Sequence, residues 1–358
     1  MCFAPNKINM SNTKIKVGIT QGDINGISYE IIIKTFQDSR ILDFCTPIIY
    51  GSPKVAAYHR KALNVKDFNF NSIQNIDEAS PRKTNLLNCL NDSIRVELGK
   101  PTEMAGEAAV VSLDMAVKDL QEGNIDVLVT CPVNREITQT ETLNFKGHTR
   151  YLMDKFKVDE TLILMTSELM RVGVVTGHVP LSEVPGLITE ENILKKLRIL
   201  NKTLMVDFAI RKPKIAVLGL NPHAGDNGVI GKEEKETIIP TIEKANNEGI
   251  LALGPFSADG FFGSDSFTKF DGILAMYHDQ GIAPFKALNF DTGVNYTAGL
   301  PIIRTTPGHG TAYEIAGLDQ ASPNSFREAI YMACAIYNNQ KMYAELTANP
   351  LPSYDVSD

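Results

Sequence analysis

No Cys-x-x-Cys pair occurs in this chain, and its five cysteines (Cys2, Cys45, Cys89, Cys131 and Cys334) are scattered. An odd, dispersed set argues against a disulfide framework or a cysteine-built zinc site, and for the reduced thiols of a cytoplasmic protein. Lys and Arg form no long cluster and the formal net charge is -7. Neither nucleic acid nor an anionic membrane is therefore an expected partner. No run approaches the roughly 18 apolar residues of a membrane span. Met1 to Asn12 is polar and lacks an apolar h-region, so no signal peptide is expected. No Gly-x-Gly-x-x-Gly follows a strand-like segment, so a dinucleotide would not bind in the Rossmann manner. Gly225 to Lys232 looks like a P-loop, but its spacing is one residue too long, and Glu233 stands where Ser or Thr must meet magnesium. Internal repeats, low-complexity segments and obvious linkers are missing too.

What is present is an ordinary globular balance. The 358 residues are 43% hydrophobic and 22% charged, enough apolar material for two domains or one large one. Apolar runs predict strands over 14–20, 47–50, 125–129, 162–165, 172–175, 215–218 and 273–276. Helical spacing predicts helices over 29–37, 52–63, 106–121, 190–208, 232–247, 312–315 and 326–343. Ser52 and Pro53 mark the cap and first position of the second helix. His59, between charged neighbours there, is expected on the surface. Residues 64–105 show no clear pattern. Strands alternate with helices, so the class is α/β with a largely parallel sheet.

Met276 to Arg304 is the richest stretch. It opens with His278 and Asp279, which can ligate a metal or exchange protons, and then offers Lys286, Asn295 and Arg304 to an anion. Gly281, Gly293 and Gly299 let the backbone turn sharply or approach a ligand. Five of the six histidines (His148, His178, His223, His278 and His309) lie in expected loops, and all of these but His278 stand beside Gly or Pro. His178, His223 and His278 each come shortly after an expected strand, which places three imidazoles on one rim of a sheet. Three such ligands with an open position make a catalytic metal site. Asp226, Asp259 and Asp279 are further candidate ligands or partners. Arg304 follows the strand-like run Leu300 to Ile303, and a guanidinium emerging there calls for a carboxylate or phosphate. Lys286, Asn295, His148 and Thr149 could complete that cradle. Gly308 to Ala312 is a Gly-rich turn running into a helix start, a place for a phosphate or adenine.

Read together, these motifs resemble a known family. Thr20-Gln-Gly-Asp23, Gly147-His-Thr149, Asn221-Pro-His-Ala-Gly225, Met276-Tyr-His-Asp-Gln-Gly281, Gly293-Val-Asn295, Gly299-Leu-Pro-Ile-Ile-Arg304 and His309-Gly-Thr-Ala312 match, in order, the 4-hydroxythreonine-4-phosphate dehydrogenases, or PdxA family, of pyridoxal phosphate biosynthesis. The resemblance covers about residues 15–340. It implies metal ligands at His178, His223 and His278, and substrate contacts at His148, Thr149, Lys286, Asn295 and Arg304. It also implies NAD or NADP along His309, Gly310, Thr311 and Ala312, and a fold like that of isopropylmalate and isocitrate dehydrogenase. That fold has two α/β domains around a cleft, here 1–140 with 295–358 and, between them, 141–294. A homodimer sharing its metal site across the interface is implied as well. The sequence departs from the family pattern at Ile24 and Asn25, at Arg135 for a Lys, at Arg150 for an acidic residue, and at Gly308 for an Asp.

The expected reaction is metal-assisted, NAD-linked oxidation of a phosphorylated 3-hydroxy amino acid, followed by loss of CO2. Lys286 and Asp279 are the candidate bases. Zinc suits three imidazoles best, with cobalt, manganese or magnesium as alternatives. A dehydrogenase of threonate or erythronate 4-phosphate is the nearest rival, kept open by Arg150. A transferase or isomerase working without NAD, and a non-catalytic binding protein, are the others.

Overall fold

The apolar residues between Lys14 and Thr20 build β1 (Ile15–Thr20), which pairs in parallel with β2 (Cys45–Gly51) on one side and β5 (Val127–Thr130) on the other. Val17, Ile19, Ile48, Ile49, Val127 and Val129 are all shielded from solvent. Such unbroken apolar strands are what a parallel sheet covered on both faces requires. The computed structural model describes residues 14–91, 93–139 and 145–349. Met1 to Asn12 and the boundary expected at 140–141 lie outside them.

The remaining strands are β3 (Asn71–Ile73), β4 (Asn85–Asn88), β6 (Leu162–Thr166), β7 (Arg171–Thr176), β8 (Ile215–Leu218), β9 (Ala252–Phe256), β10 (Gly272–Tyr277), β11 (Val294–Ala298) and β12 (Arg304–Pro307). They form one twelve-stranded sheet in the order β3-β4-β2-β1-β5-β12-β11-β6-β7-β10-β8-β9. Pairing is parallel except at β12–β11, β11–β6 and β6–β7. Two parallel halves therefore meet across a short antiparallel centre. Helices cover both faces. Helix Ser28–Phe36 buries Ile31, Ile32 and Ile33, and helix Asn324–Thr347 buries Phe326, Ala329, Ile330 and Ala333. Ser52 caps helix Pro53–Ala62 by accepting from Val55 N, and Thr102 caps helix Glu103–Gln121 by accepting from Ala105 N. Among the described residues no helix is long and apolar enough to cross a membrane, and the described cysteines are free.

Several expectations are corrected. Residues 64–105 hold β3 and β4, hidden because the strands are short and because Asn85 is a buried polar residue. Its amide donates to the carbonyls of Pro47, Ser80 and Lys83. The stretch 232–247 is not one regular helix: it begins with a π-wound turn, Glu234–Ile238, before the α-helix Ile239–Asn247. Leu300 to Ile303 is irregular, and Arg304 opens β12 rather than following a strand. Residues 312–315 hold only the single turn Tyr313–Ile315. His278 starts a helix, His278–Asn289, instead of lying in a loop. Gly281 sits inside that helix, where it lets the helix press against Val172 and Ala275.

His59 is not on the surface. It is 2% exposed, stacks on Tyr29 with ring centroids 5.1 Å apart, and its Nε2 lies 2.7 Å from the Ile24 carbonyl oxygen. Burial pushes the imidazole down to about 4, with the bond to Ile24 opposing. The folded value lies below the unfolded one. Stability tied to His59 is thus whole above about pH 6.5 and is lost as pH falls toward 4. Urea unfolding at pH 7 and pH 4.5 should show a loss of about 2–3 kcal/mol that His59→Phe does not share. Equal slopes for the two proteins would contradict this account.

Candidate active site

Strands β7, β10 and β8 are adjacent and parallel. Their carboxyl ends lead to His178, to His278 and to the loop holding His223. Two of these imidazoles meet: the His178 and His278 rings stand 5.5 Å apart, tilted by 39°. His278 Nδ1 lies 2.7 Å from Asp279 Oδ1. A carboxylate there accepts the Nδ1 proton and leaves Nε2 as a lone-pair donor. Burial, with the charges of Arg135 and His278, lowers the pKa of His178 and favours its neutral form. His223 does not join the pair. It lies instead within electrostatic reach of Asp259, whose carboxyl is held down first by the Ser257 hydroxyl. Among the described residues no three His, Cys, Asp or Glu side chains cluster closely enough to hold a metal ion. The donor chemistry of the His178–His278 pair suits a divalent cation.

The residues expected to hold an anion are connected to this pair through Arg135, which lies 3.4 Å from His178 and, with Arg304, acts electrostatically on His148. Arg304 is 4% exposed. Its Nε and Nη2 donate to Thr130 Oγ1 at 2.9 and 2.6 Å, and its Nη1 donates to Thr297 Oγ1 at 3.1 Å. No carboxylate pairs with it among the described residues, and burial alone pushes it down to about 9. His148 begins helix His148–Phe156, with Thr149 next on the same free N-terminal turn. Burial, then the charges of Arg304 and Arg135, hold His148 well below the ordinary histidine range. A neutral imidazole therefore faces two guanidinium groups. Asn295 lies on β11 opposite Thr306, whose hydroxyl donates to the Thr130 carbonyl. Lys286 is half-buried on helix His278–Asn289 and acts electrostatically on His309. A buried, uncompensated guanidinium is costly, and an anionic ligand is what would offset it.

The turn His309 to Ala312 is tied to the first strand's loop. Thr311 accepts from Ile27 N at 3.1 Å, and a Cβ on Gly26 would lie 2.6 Å from the Thr311 carbonyl oxygen. His309 Nδ1 lies 3.0 Å from the Gly310 carbonyl, while its Nε2 is buried without a partner among the described residues. Because a single short turn follows, the backbone of the turn itself, not a helix terminus, is what a dinucleotide would meet.

Two residues outside the expected set stand among these groups. Arg135 bridges the two groups: its Nη2 lies 3.4 Å from His178 Nε2, and its charge reaches His148. Its place after the carboxyl end of β5 was the available signal. Gln280 links the elements of two histidines, donating to the Gly219 carbonyl at 2.6 Å and accepting from Met276 N at 2.7 Å. The departures from the family pattern also find their places. Asn25 is a buried strut, donating to Lys100 O and Thr102 Oγ1 and accepting from Glu97 N. Arg150 is exposed and paired with Asp154 at 3.1 Å. Gly308 N donates to Ser325 Oγ at 2.9 Å.

Residues 43–333 match the family model described as pyridoxal phosphate biosynthetic protein PdxA. The chain belongs to the PdxA family. It is 51% identical over 343 residues, 96% of this chain and 94% of the other, to a 4-hydroxythreonine-4-phosphate dehydrogenase of Bacteroides thetaiotaomicron. It is 37% identical, over 88% of this chain and 96% of the other, to a protein of Oceanobacillus iheyensis provisionally named a D-threonate 4-phosphate dehydrogenase. A crystal structure of 4-hydroxythreonine-4-phosphate dehydrogenase from Klebsiella pneumoniae superposes with a TM-score of 0.80 at 29% identity, over 91% of this chain and 99% of that one. Isocitrate dehydrogenase of Methylococcus capsulatus shares the fold alone, with a TM-score of 0.50 at 10% identity over 91% and 87% of the two chains. Membership in PdxA makes the chain a dehydrogenase with the two-halved architecture of that fold, as the motifs implied.

Proposed function

We propose that this PdxA protein oxidises 4-phosphooxy-L-threonine to 2-amino-3-oxo-4-phosphooxybutanoate, which loses CO2 to leave 3-amino-2-oxopropyl phosphate for pyridoxine 5'-phosphate synthesis. The observation that carries this reading is Arg304, buried, charged and without a carboxylate partner among the described residues. Arg304, Lys286, His148, Thr149 and Asn295 take the phosphate or carboxylate of the substrate and hold the reacting carbon in place. We add Arg135 to that set. His178, His223 and His278 would hold a divalent cation, zinc by the nature of the donors, and His309 to Ala312 would hold NAD or NADP. When bound, the cation supplies Lewis acidity toward the alcohol oxygen and the dinucleotide supplies the hydride acceptor.

Asp279 touches His278, which favours a role in orienting that ring over a role as base. Lys286 is the other candidate base; it can receive the alcohol proton only as a neutral amine, whereas as an ammonium it holds the substrate anion. The halves of the sheet, 1–140 with 295–358 and 141–294, act as two domains around the cleft. The working unit is a cytoplasmic homodimer whose second chain completes the metal centre. Arg150 lies exposed and beside Asp154, which supports the substrate that carries the amino group.

Absorbance of NADH tests the reading. Purified protein given zinc, NAD and 4-phosphooxy-L-threonine should produce NADH, and a chelator should stop it. Turnover of D-threonate 4-phosphate with higher kcat/KM would replace the substrate assignment. Activity indifferent to the chelator would remove the metal.

A further inference from the structure

Beyond Leu218, the end of β8, the chain enters an unusual turn. His223, Ala224, Gly225, Asp226 and Asn227 have φ of 53°, 50°, 78°, 43° and 53°, all left-handed. Only one of the five is glycine, and other residues keep this conformation when their surroundings impose it. Local bonds close the turn: Ala224 N donates to Asn221 O, Val229 N to Asp226 O and Ile230 N to Gly225 O, each at 3.1 Å. The anchor lies farther along the chain. Glu234 is 3% exposed. Its Oε1 accepts from Leu220 N and Asn221 N, both at 2.7 Å, and its Oε2 accepts from Asn221 Nδ2 at 2.9 Å. The same amide donates to Glu233 Oε2 at 2.8 Å. Glu234 also presses on the turn, since a Cβ on Gly225 would lie 2.5 Å from its Oε2.

No cation pairs with this buried carboxyl group among the described residues; N–H groups at the start of the His223 loop bind both of its oxygens. A carboxylate used this way is a template for the loop. Gln280 fixes the other end, holding Gly219, where the loop leaves β8, against Met276 just before His278.

We infer that Glu234 is the positioning residue of the His223 loop, and that through the aim of this imidazole it sets the affinity of the protein for its divalent cation. The inference rests on His223 being a ligand. Outer partners that orient ligands change metal affinity about 10- to 100-fold when removed.

The test titrates the metal-free, full-length protein with cobalt(II) chloride and follows its visible absorbance, with a thermal melt of each variant. Glu234→Gln keeps the volume and one acceptor for the Leu220 and Asn221 N–H groups but turns an amide on Asn221; it should bind cobalt about 10-fold more weakly. Glu234→Ala should bind about 100-fold more weakly, with an altered absorption band. A purely structural role would lower the melting temperature and leave cobalt affinity of the folded protein unchanged, and that result for Glu234→Gln overturns the inference. If Glu234→Ala does not fold, Glu234→Gln decides alone. His223→Ala separates the two layers: cobalt binding unchanged in that variant removes the ligand reading itself, and the inference with it.

Discussion

Replacing Arg304 with methionine is expected to lower kcat/KM by about three orders of magnitude while leaving the melting temperature unchanged or raised. The two effects come from one cause. In the free protein the guanidinium is 4% exposed and bonded to two threonine hydroxyls, with no carboxylate partner among the described residues. Keeping a buried ion without a counter-charge costs several kcal/mol, whereas leaving two hydroxyls without a partner costs about 1–3 kcal/mol each. An apolar side chain of similar length therefore does not weaken the fold. Substrate binding reverses the balance. A phosphate or carboxylate gains a planar, charge-assisted contact, and losing one partner of such a buried pair costs about 2–5 kcal/mol or more. Arg304→Lys keeps the charge but not the fork, and should lie between the two. The measurements are steady-state kinetics with 4-phosphooxy-L-threonine and thermal melts without ligand. A variant that melts much lower yet keeps its kcat/KM would make Arg304 a strut between β5, β11 and β12.

The parts of the fold that local chemistry dictates were legible in the sequence. The apolar runs of β1, β5, β8 and β10, the Ser52 cap and the long helices all follow from neighbours in the chain. The failures share a different cause. His59 owes its burial to Ile24 and Tyr29, some thirty residues earlier, and nothing in its charged local setting shows this. Leu300 to Ile303 has strand-like composition but must turn so that Arg304 can open β12 between β5 and β11. For the site, the motifs named loops but not the distances between them. Strand β10 lies between β7 and β8, so sequence alone would let His278 meet either neighbour. It meets His178, while His223 sits in a left-handed run whose main anchor, Glu234, lies beyond the motif that contains the histidine. Arg135 was visible only as a departure from a pattern; its role depends on where His148 and His178 end up.

The separation of His223 from the other two histidines leads to a second large effect. Mixing inactive His223→Ala chains with inactive His278→Ala chains should restore about a quarter of the wild-type activity, if the centre is built from His178 and His278 of one protomer and the third histidine of its partner. Random pairing makes half of the dimers mixed, and each mixed dimer holds one intact centre and one with both histidines lost. The same arithmetic gives no recovery when His178→Ala is mixed with His278→Ala, because the rings 5.5 Å apart belong to one chain and every centre in the mixture is damaged. Chains must be co-expressed, or exchanged under mild denaturant, so that dimers form at random. Recovery in the second mixture but not the first would assign the pair to different protomers. No recovery in either would mean that a single chain closes its own centre, with the His223 loop swinging toward β10, and would contradict the shared site.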